Sequence, residues 1–489
     1  MIELKEVSFF YTGEQADAGV KDISLTFADG EVVLLCGRSG CGKTTLTRLI
    51  NGLIPHYYEG TLTGSVVVNG YPAADTALYE MAGMVGSVFQ NPRSQFFNVD
   101  TDSELAFACE NMGMPEKKVR QRVEHTAEEL ELGSLLGRSI FELSGGEKQK
   151  IACGSVSTLE PEVLVLDEPT SNLDMEGIAL LKKIVAHWKA KGKTVIIAEH
   201  RLNFLAGLAD RVIYLENGRV AGDYDRMTFF GQQASFYRDR GLRSPYLKDI
   251  WNQEGYMLCR KDSCSLKGFC YSYGKSGPVL DIPEAGFPLG HVVAVVGKNG
   301  AGKTTLMRSI CGLLKHDRGI LDIRGKKLKA KGRLSVCYMV MQDVNHQLFT
   351  ESVLDEVLLS MEQEDQRLAE GILDSLDLLE FKDMHPMSLS GGQKQRVAVA
   401  SALASDREII VLDEPTSGLD FLHMRQVAEG IRMLQDKNRT VFIVTHDLEF
   451  IAACCTDILL MEHGKIREQY PLDGEGMEKL KRFFGIQDE

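Results

Sequence analysis

Gly-Arg-Ser-Gly-Cys-Gly-Lys-Thr-Thr at 37–45 returns as Gly-Lys-Asn-Gly-Ala-Gly-Lys-Thr-Thr at 297–305. Both fit G-x-x-x-x-G-K-[ST], a loop whose glycines let backbone N–H groups close around phosphates without Cβ clashes. Lys43 and Lys303 would reach the β- and γ-phosphates, and the hydroxyls of Thr44 and Thr304 would ligate Mg²⁺. The rest of each loop supplies candidate contacts: Gly37, Arg38, Ser39, Gly40, Cys41, Gly42 and Thr45 in one, Gly297, Lys298, Asn299, Gly300, Ala301, Gly302 and Thr305 in the other. The helix that begins at each loop's end adds its positive end. One match could be a chance turn, but two, each following an apolar strand, make chance negligible.

A second pattern places Asp-Glu after four apolar residues, at Asp167-Glu168 and Asp413-Glu414. An aspartate at a strand end can hold Mg²⁺, and the glutamate after it can polarise an attacking water. The bland reading, an acidic strand end before a Pro turn, does not account for its appearance twice downstream of a phosphate loop. A third pattern is Leu-Ser-Gly-Gly-[Glu/Gln]. Ser144 with Glu147, and Ser390 with Gln393, are capping boxes. A cap explains those four residues but not Gly145-Gly146 and Gly391-Gly392, which cost helix stability. The paired glycines make sense where backbone must approach a phosphate at a helix start.

These residues need a scaffold, and the spacing describes one. The phosphate loops are offset by 260 residues, whereas the Ser-Gly-Gly and Asp-Glu motifs are offset by 246. The chain is therefore a duplication whose second copy is 14 residues shorter between those motifs, which predicts a trimmed surface loop. Short apolar strands at Glu31–Cys36, Val163–Leu166 and Thr194–Ala198 alternate with helix-like sequence, as in a mostly parallel sheet. Residues 100–160 read as mainly helical. The stretch 225–255 lacks a clear period and reads as a linker between domains at 1–224 and 256–489.

Composition narrows the function. With 489 residues, 44% hydrophobic and 25% charged, each half can bury a core, and disordered classes are out. A formal net charge of −14 makes nucleic acid a poor partner. There is no apolar run of membrane-spanning length and no signal-peptide pattern, so the chain is expected in the cytosol. Eleven cysteines suit a reducing compartment, and the spacing of Cys259, Cys264 and Cys270 does not suit a metal.

With these motifs in hand, the chain resembles the ATP-binding subunits of ABC transporters, in two copies covering all but the linker. The resemblance implies an α/β fold of two tandem P-loop NTPase domains, each with a mostly parallel sheet core, an antiparallel β part and a helical subdomain. It assigns Gln90 and Gln342 to the Q-loop, as catalytic and metal-side residues. Ser144–Glu147 and Ser390–Gln393 become the signature, and Asp167 and Asp413 the Mg²⁺ ligands beside Thr44 and Thr304. Glu168 and Glu414 become the catalytic carboxylates, Asn172-Leu173-Asp174 and Gly418-Leu419-Asp420 the D-loops, and His200 and His446 the switch histidines. Tyr11 and Tyr273 stand where the family stacks an aromatic on adenine. It further implies an internal pseudo-dimer, each ATP lying between the phosphate loop of one half and the signature of the other.

Three tandem types compete. Translation-associated members insert a long charged linker, and sugar-importer subunits usually carry a degenerate second site. Neither fits well here. QNPRSQFF at 90–97 and QDVNHQLF at 342–349 share Gln, Gln five residues on, and Phe two further. This looks like the segment that energy-coupling-factor ATPases place against their membrane subunit. The expectation is a peripheral protein on the cytoplasmic face of the membrane, hydrolysing ATP with Mg²⁺. Its expected partners are an energy-coupling transmembrane protein and a substrate-binding membrane protein, with no nucleic acid. Two departures from the family pattern predict unequal sites: Glu147 stands opposite Gln393, and Glu199-His200-Arg201 opposite Thr445-His446-Asp447. A carboxylate at 147, about 8 Å from a phosphate charge, would oppose ATP by about 2 kcal/mol at an effective dielectric of about 20 unless its cap holds it back.

Overall fold

Strand Val32–Gly37 is buried along its whole length. Val33 and Leu35 enter one apolar cluster, while Val32, Leu34 and Cys36 enter another. A strand that feeds cores on both faces belongs to a covered parallel sheet. The computed structural model describes residues 1–486 apart from 13–18, 172, 247–262, 275–276, 316 and 437–438.

The chain divides into two compact units, Met1–Tyr246 and Leu247–Glu489. In the first, a six-stranded sheet runs in the order Arg219–Asp225, Arg211–Glu216, Val32–Gly37, Thr194–Ala198, Val163–Asp167, Val85–Val88. All neighbours pair in parallel except the first two. A separate antiparallel sheet, Gly19–Phe27, Ile2–Tyr11, Gly60–Val68 and Tyr71–Pro72, sets Leu4 opposite Leu25 and Val66. Its buried face shares one cluster with Leu46, Leu49 and Ile50 of the helix Lys43–Ile50. Helices Thr101–Asn111, Glu116–Glu129 and Gly145–Ser157 make the helical part. The second unit repeats this plan, with Val292–Val296 between Thr440–Val444 and Asp457–Glu462 in its six-stranded sheet.

The missing 14 residues do not come from one loop. Gln90 and Gln342 are offset by 252, so eight are lost before them and six after. The antiparallel strand of nine residues at Gly60–Val68 becomes four at Ile320–Ile323. The 14-residue helix Glu116–Glu129 becomes the 10-residue Gln366–Ser375. Four residues are close to one helical turn, so the shortened helix keeps its buried face in register.

The stretch expected to be a linker carries structure as far as Tyr246. Helices Arg226–Phe230 and Ala234–Asp239 place Phe229, Phe230 and Tyr237 in the first unit's core. The Tyr237 hydroxyl donates to Phe229 O at 2.6 Å and that of Tyr246 to Phe230 O at 2.6 Å. Helices of five and six residues are too short to show a period of 3.6 in sequence. The rest of the expected linker, and Cys259, lie outside the described residues.

Candidate functional site

Gly37 ends its strand at φ 152°, and a Cβ there would stand 2.3 Å from Leu215 O. Gly40 has open space but φ 75°, a conformation that favours glycine. Lys43 then opens its helix and is buried, its ammonium donating to Gly37 O at 3.1 Å and Arg38 O at 3.0 Å. Lys303 does the same to Gly297 O at 2.6 Å and Lys298 O at 3.0 Å.

Thr44 Oγ1 donates to Asp167 Oδ1 at 3.1 Å, and Thr304 Oγ1 to Asp413 Oδ2 at 2.9 Å. Burial, helped by the neighbouring Glu168 charge, pushes the Asp167 carboxyl up to about 6. Burial also raises Asp413. A hydroxyl beside a carboxylate that is costly to ionise alone fits a hard divalent cation such as Mg²⁺. The folded unit favours protonated Asp167 up to about pH 6, and cation binding must displace that proton. Titrations of Mg²⁺–ATP should find the Asp167 site about tenfold weaker near about pH 5 than at about pH 7.5. Equal affinity at both would show that no carboxylate titrates on binding.

Glu168 and Glu414 follow with φ 44° and 50°. Gln90 Nε2 donates to Glu168 Oε2 at 2.7 Å, and His200 Nε2 lies 3.2 Å from Glu168 Oε1. In the second unit His446 Nε2 lies 3.7 Å from Glu414 Oε1. Tyr11 and Tyr273 stand beside the loops, their hydroxyls 3.2 Å from Thr45 Oγ1 and 3.4 Å from Thr305 Oγ1. Each unit thus gathers its loop lysine, hydroxyls, carboxylates, histidine and tyrosine. Gln90 joins this cluster in the first unit by its bond to Glu168.

Ser144–Glu147 and Ser390–Gln393 head separate helices, both with complete capping boxes. A Cβ added at Gly146 or Gly392 would make only an ordinary contact, to Gly177 or Leu419, and one at Gly391 would meet nothing within 4 Å. Local packing therefore does not demand glycine at 146, 391 or 392. Glu147 is tied back by both oxygens, one accepting from Ser144 N–H at 2.7 Å and the other from Arg138 at 2.9 Å. Burial raises its carboxyl, but Ser144 and Arg138 outweigh that and hold it below the usual range. Met384 stands where Arg138 does, and Gln393 where Glu147 does. The two halves differ by a neutral swap, so the repulsion expected from Glu147 is opposed at its source. Asn172 lies outside the described residues.

Sequence reasoning missed a pair of buried carboxylates in the helical part. Glu104 accepts from Phe97 N–H at 3.0 Å and Asn98 N–H at 2.9 Å, and Glu356 from Phe349 N–H at 3.0 Å and Thr350 N–H at 3.1 Å. They leave Phe97 75% and Phe349 74% exposed. The second glutamine of the shared segment faces inward instead, Gln95 bonding Phe89 N and Ser87 O, and Gln347 bonding Met341 N. The equal offset of 252 for Gln90, Phe97 and Glu104 was the available signal.

A family profile described as ABC transporter matches residues 20–171 and 281–417. A Treponema denticola protein with the provisional name ABC transporter ATP-binding protein is 44% identical, over 98% of this chain and 99% of its own. A Saccharolobus solfataricus protein of the same provisional name is 32% identical, over 95% and 93%. Among solved structures, ribosome-bound archaeal Pelota and ABCE1 gives a TM-score of 0.71 at 21% identity, covering 98% of this chain and 80% of that one. RNase-L inhibitor gives 0.62 at 22%, covering 98% and 93%. Those likenesses speak to fold alone.

Proposed function

The chain belongs to the ABC transporter family, and from that premise we propose that its ATP hydrolysis energises uptake of a vitamin or transition-metal ion by an energy-coupling-factor type importer. The observation that carries this reading is the pair Phe97 and Phe349. Each is a large, exposed apolar side chain whose backbone N–H is held by a buried carboxylate, at the same place in both units. Exposed aromatics held rigidly are typical anchors of protein interfaces. Among the described residues no helix is long and apolar enough to cross a membrane, so in this reading the translocation path belongs to partner subunits.

In this reading Lys43 and Lys303 hold ATP phosphates, and Tyr11 and Tyr273 carry the base. Thr44 with Asp167, and Thr304 with Asp413, hold Mg²⁺, with Gln90 and Gln342 alongside. Mg²⁺, when bound, neutralises charge on the phosphate oxygens. Glu168 and Glu414 orient the attacking water, and His200 and His446 face the γ-phosphate. The signature of each half completes the site of the other. Tethering on one chain raises the effective concentration of the second half, so closure needs no separate ATPase.

Affinity capture of the chain from its native membranes tests the proposal. Integral membrane proteins should co-purify. Phe97→Asp together with Phe349→Asp should lower their yield at least about tenfold while unstimulated ATP hydrolysis continues. Ribosomes or RNA recovered in their place, in a salt-sensitive way, would overturn transport in favour of a translation-associated role.

A further inference from the structure

The first half reads Glu199-His200-Arg201 where the second reads Thr445-His446-Asp447. Glu199 is 2% exposed and receives four donors. One oxygen accepts from the Thr170 N–H at 3.0 Å and from the Thr170 hydroxyl; the other accepts from His200 N–H at 2.6 Å and Arg201 N–H at 3.0 Å. In the second half the residue before the histidine is Thr445, and the carboxylate comes after it. Asp447 Oδ2 accepts from the Thr416 hydroxyl at 2.9 Å, and its N–H donates to Thr445 Oγ1 at 3.0 Å. Thr170 and Thr416 are the same position, two residues beyond Glu168 and Glu414.

We infer that Glu199 and Asp447 are equivalent positioning residues, transposed across the switch histidine, which tie the loop after the catalytic carboxylate to the histidine strand. The longer Glu reaches the threonine from one side, and the shorter Asp reaches it from the other. The exchange leaves a mark in the backbone. Asp447 also caps the helix Leu448–Cys454 through Phe450 N–H at 3.2 Å. After Arg201, which offers no side-chain cap, there is only the 3₁₀ turn Leu202–Phe204. The tie spans the two segments that carry Glu168 and His200, whose facing atoms are 3.2 Å apart. Small misplacements at such a separation are costly in rate. The inference rests on ATP hydrolysis by this chain and not on what that hydrolysis drives.

Moving the carboxylate tests it. In the full chain carrying Glu414→Gln, so that turnover reports the first half's site, Glu199→Thr should lower kcat for ATP at least about tenfold from that parent with KM within about twofold. Adding Arg201→Asp, which rebuilds the second half's pattern, should restore kcat to within about threefold of the Glu414→Gln parent. A merely structural loop tie would not separate kcat from KM. In that parent, Glu199→Thr with Arg201→Asp as slow as Glu199→Thr alone, or Glu199→Thr as fast as the parent, overturns the inference. Should Glu199→Thr lower the melting temperature below the assay range, the isosteric Glu199→Gln carries the same comparison. An independent readout is the imidazole resonance of labelled His200, which should move in Glu199→Thr and return in the double variant; no movement overturns the tie. A wild-type chain without turnover would count against hydrolysis itself, and the resonance would still decide the positioning role.

Discussion

Steady-state ATP hydrolysis should fall at least about 100-fold when Glu168→Gln and Glu414→Gln are combined, with ATP binding kept. The size follows from what the proposed role supplies, since a positioned general base contributes about 10² to 10⁴ in rate. The selectivity follows from geometry. Each glutamate leaves its strand at positive φ, and its backbone N–H is fixed by Ala198 O or Val444 O at 2.8 Å. Glutamine keeps the volume and the backbone, and Lys43, Thr44, Lys303 and Thr304 are untouched. Glutamine removes the negative charge that polarises water, while its amide can still meet Gln90. Phosphate release and nucleotide retention, measured on the same preparation, separate the two effects. Turnover near wild type would remove both carboxylates from the mechanism.

What sequence carried well was anything encoded by a few residues in a row. The phosphate loops, the Asp-Glu strand ends and the capping boxes depend on local backbone geometry, and each stands in the structure where its spacing put it. What sequence carried poorly was length compensation and long-range bonding. A lost helical turn at Gln366–Ser375 looks like a loop deletion when only motif offsets are counted. Two helices of five and six residues look like a linker because their burial depends on Phe229 and Tyr237 meeting a distant core. Glu199 and Asp447 look like divergence because the threonine that equates them is about thirty residues earlier in the chain. Glu147 reads in sequence as a charge offset by its cap alone, because Arg138, which pairs with it, stands nine positions earlier.

Glu104→Ala combined with Glu356→Ala should release both exposed phenylalanines without stopping unstimulated ATP hydrolysis. Glu104 takes three hydrogen bonds from the loop, the third from Asn98 Nδ2 at 3.2 Å, and Glu356 takes its third from Thr350 Oγ1 at 2.8 Å. Bonds to a charged group contribute about 1.5–3 kcal/mol each, and alanine leaves two backbone N–H groups per loop without their acceptor. Allowing for water that reaches the opened loop, a local loss of about 3 kcal/mol per unit is expected. That corresponds to amide exchange about 100-fold faster at Phe97, Asn98, Phe349 and Thr350. Strands Val32–Gly37 and Val292–Val296, buried throughout, should exchange as before. A loop that is ordered only part of the time also binds its partner only part of the time, so recovery of the proposed membrane partners should fall with the protection. The two readouts test different steps. Unchanged exchange would show that these carboxylates do not brace the loops. Faster exchange with full recovery of partners would show that Phe97 and Phe349 are not what the partners hold.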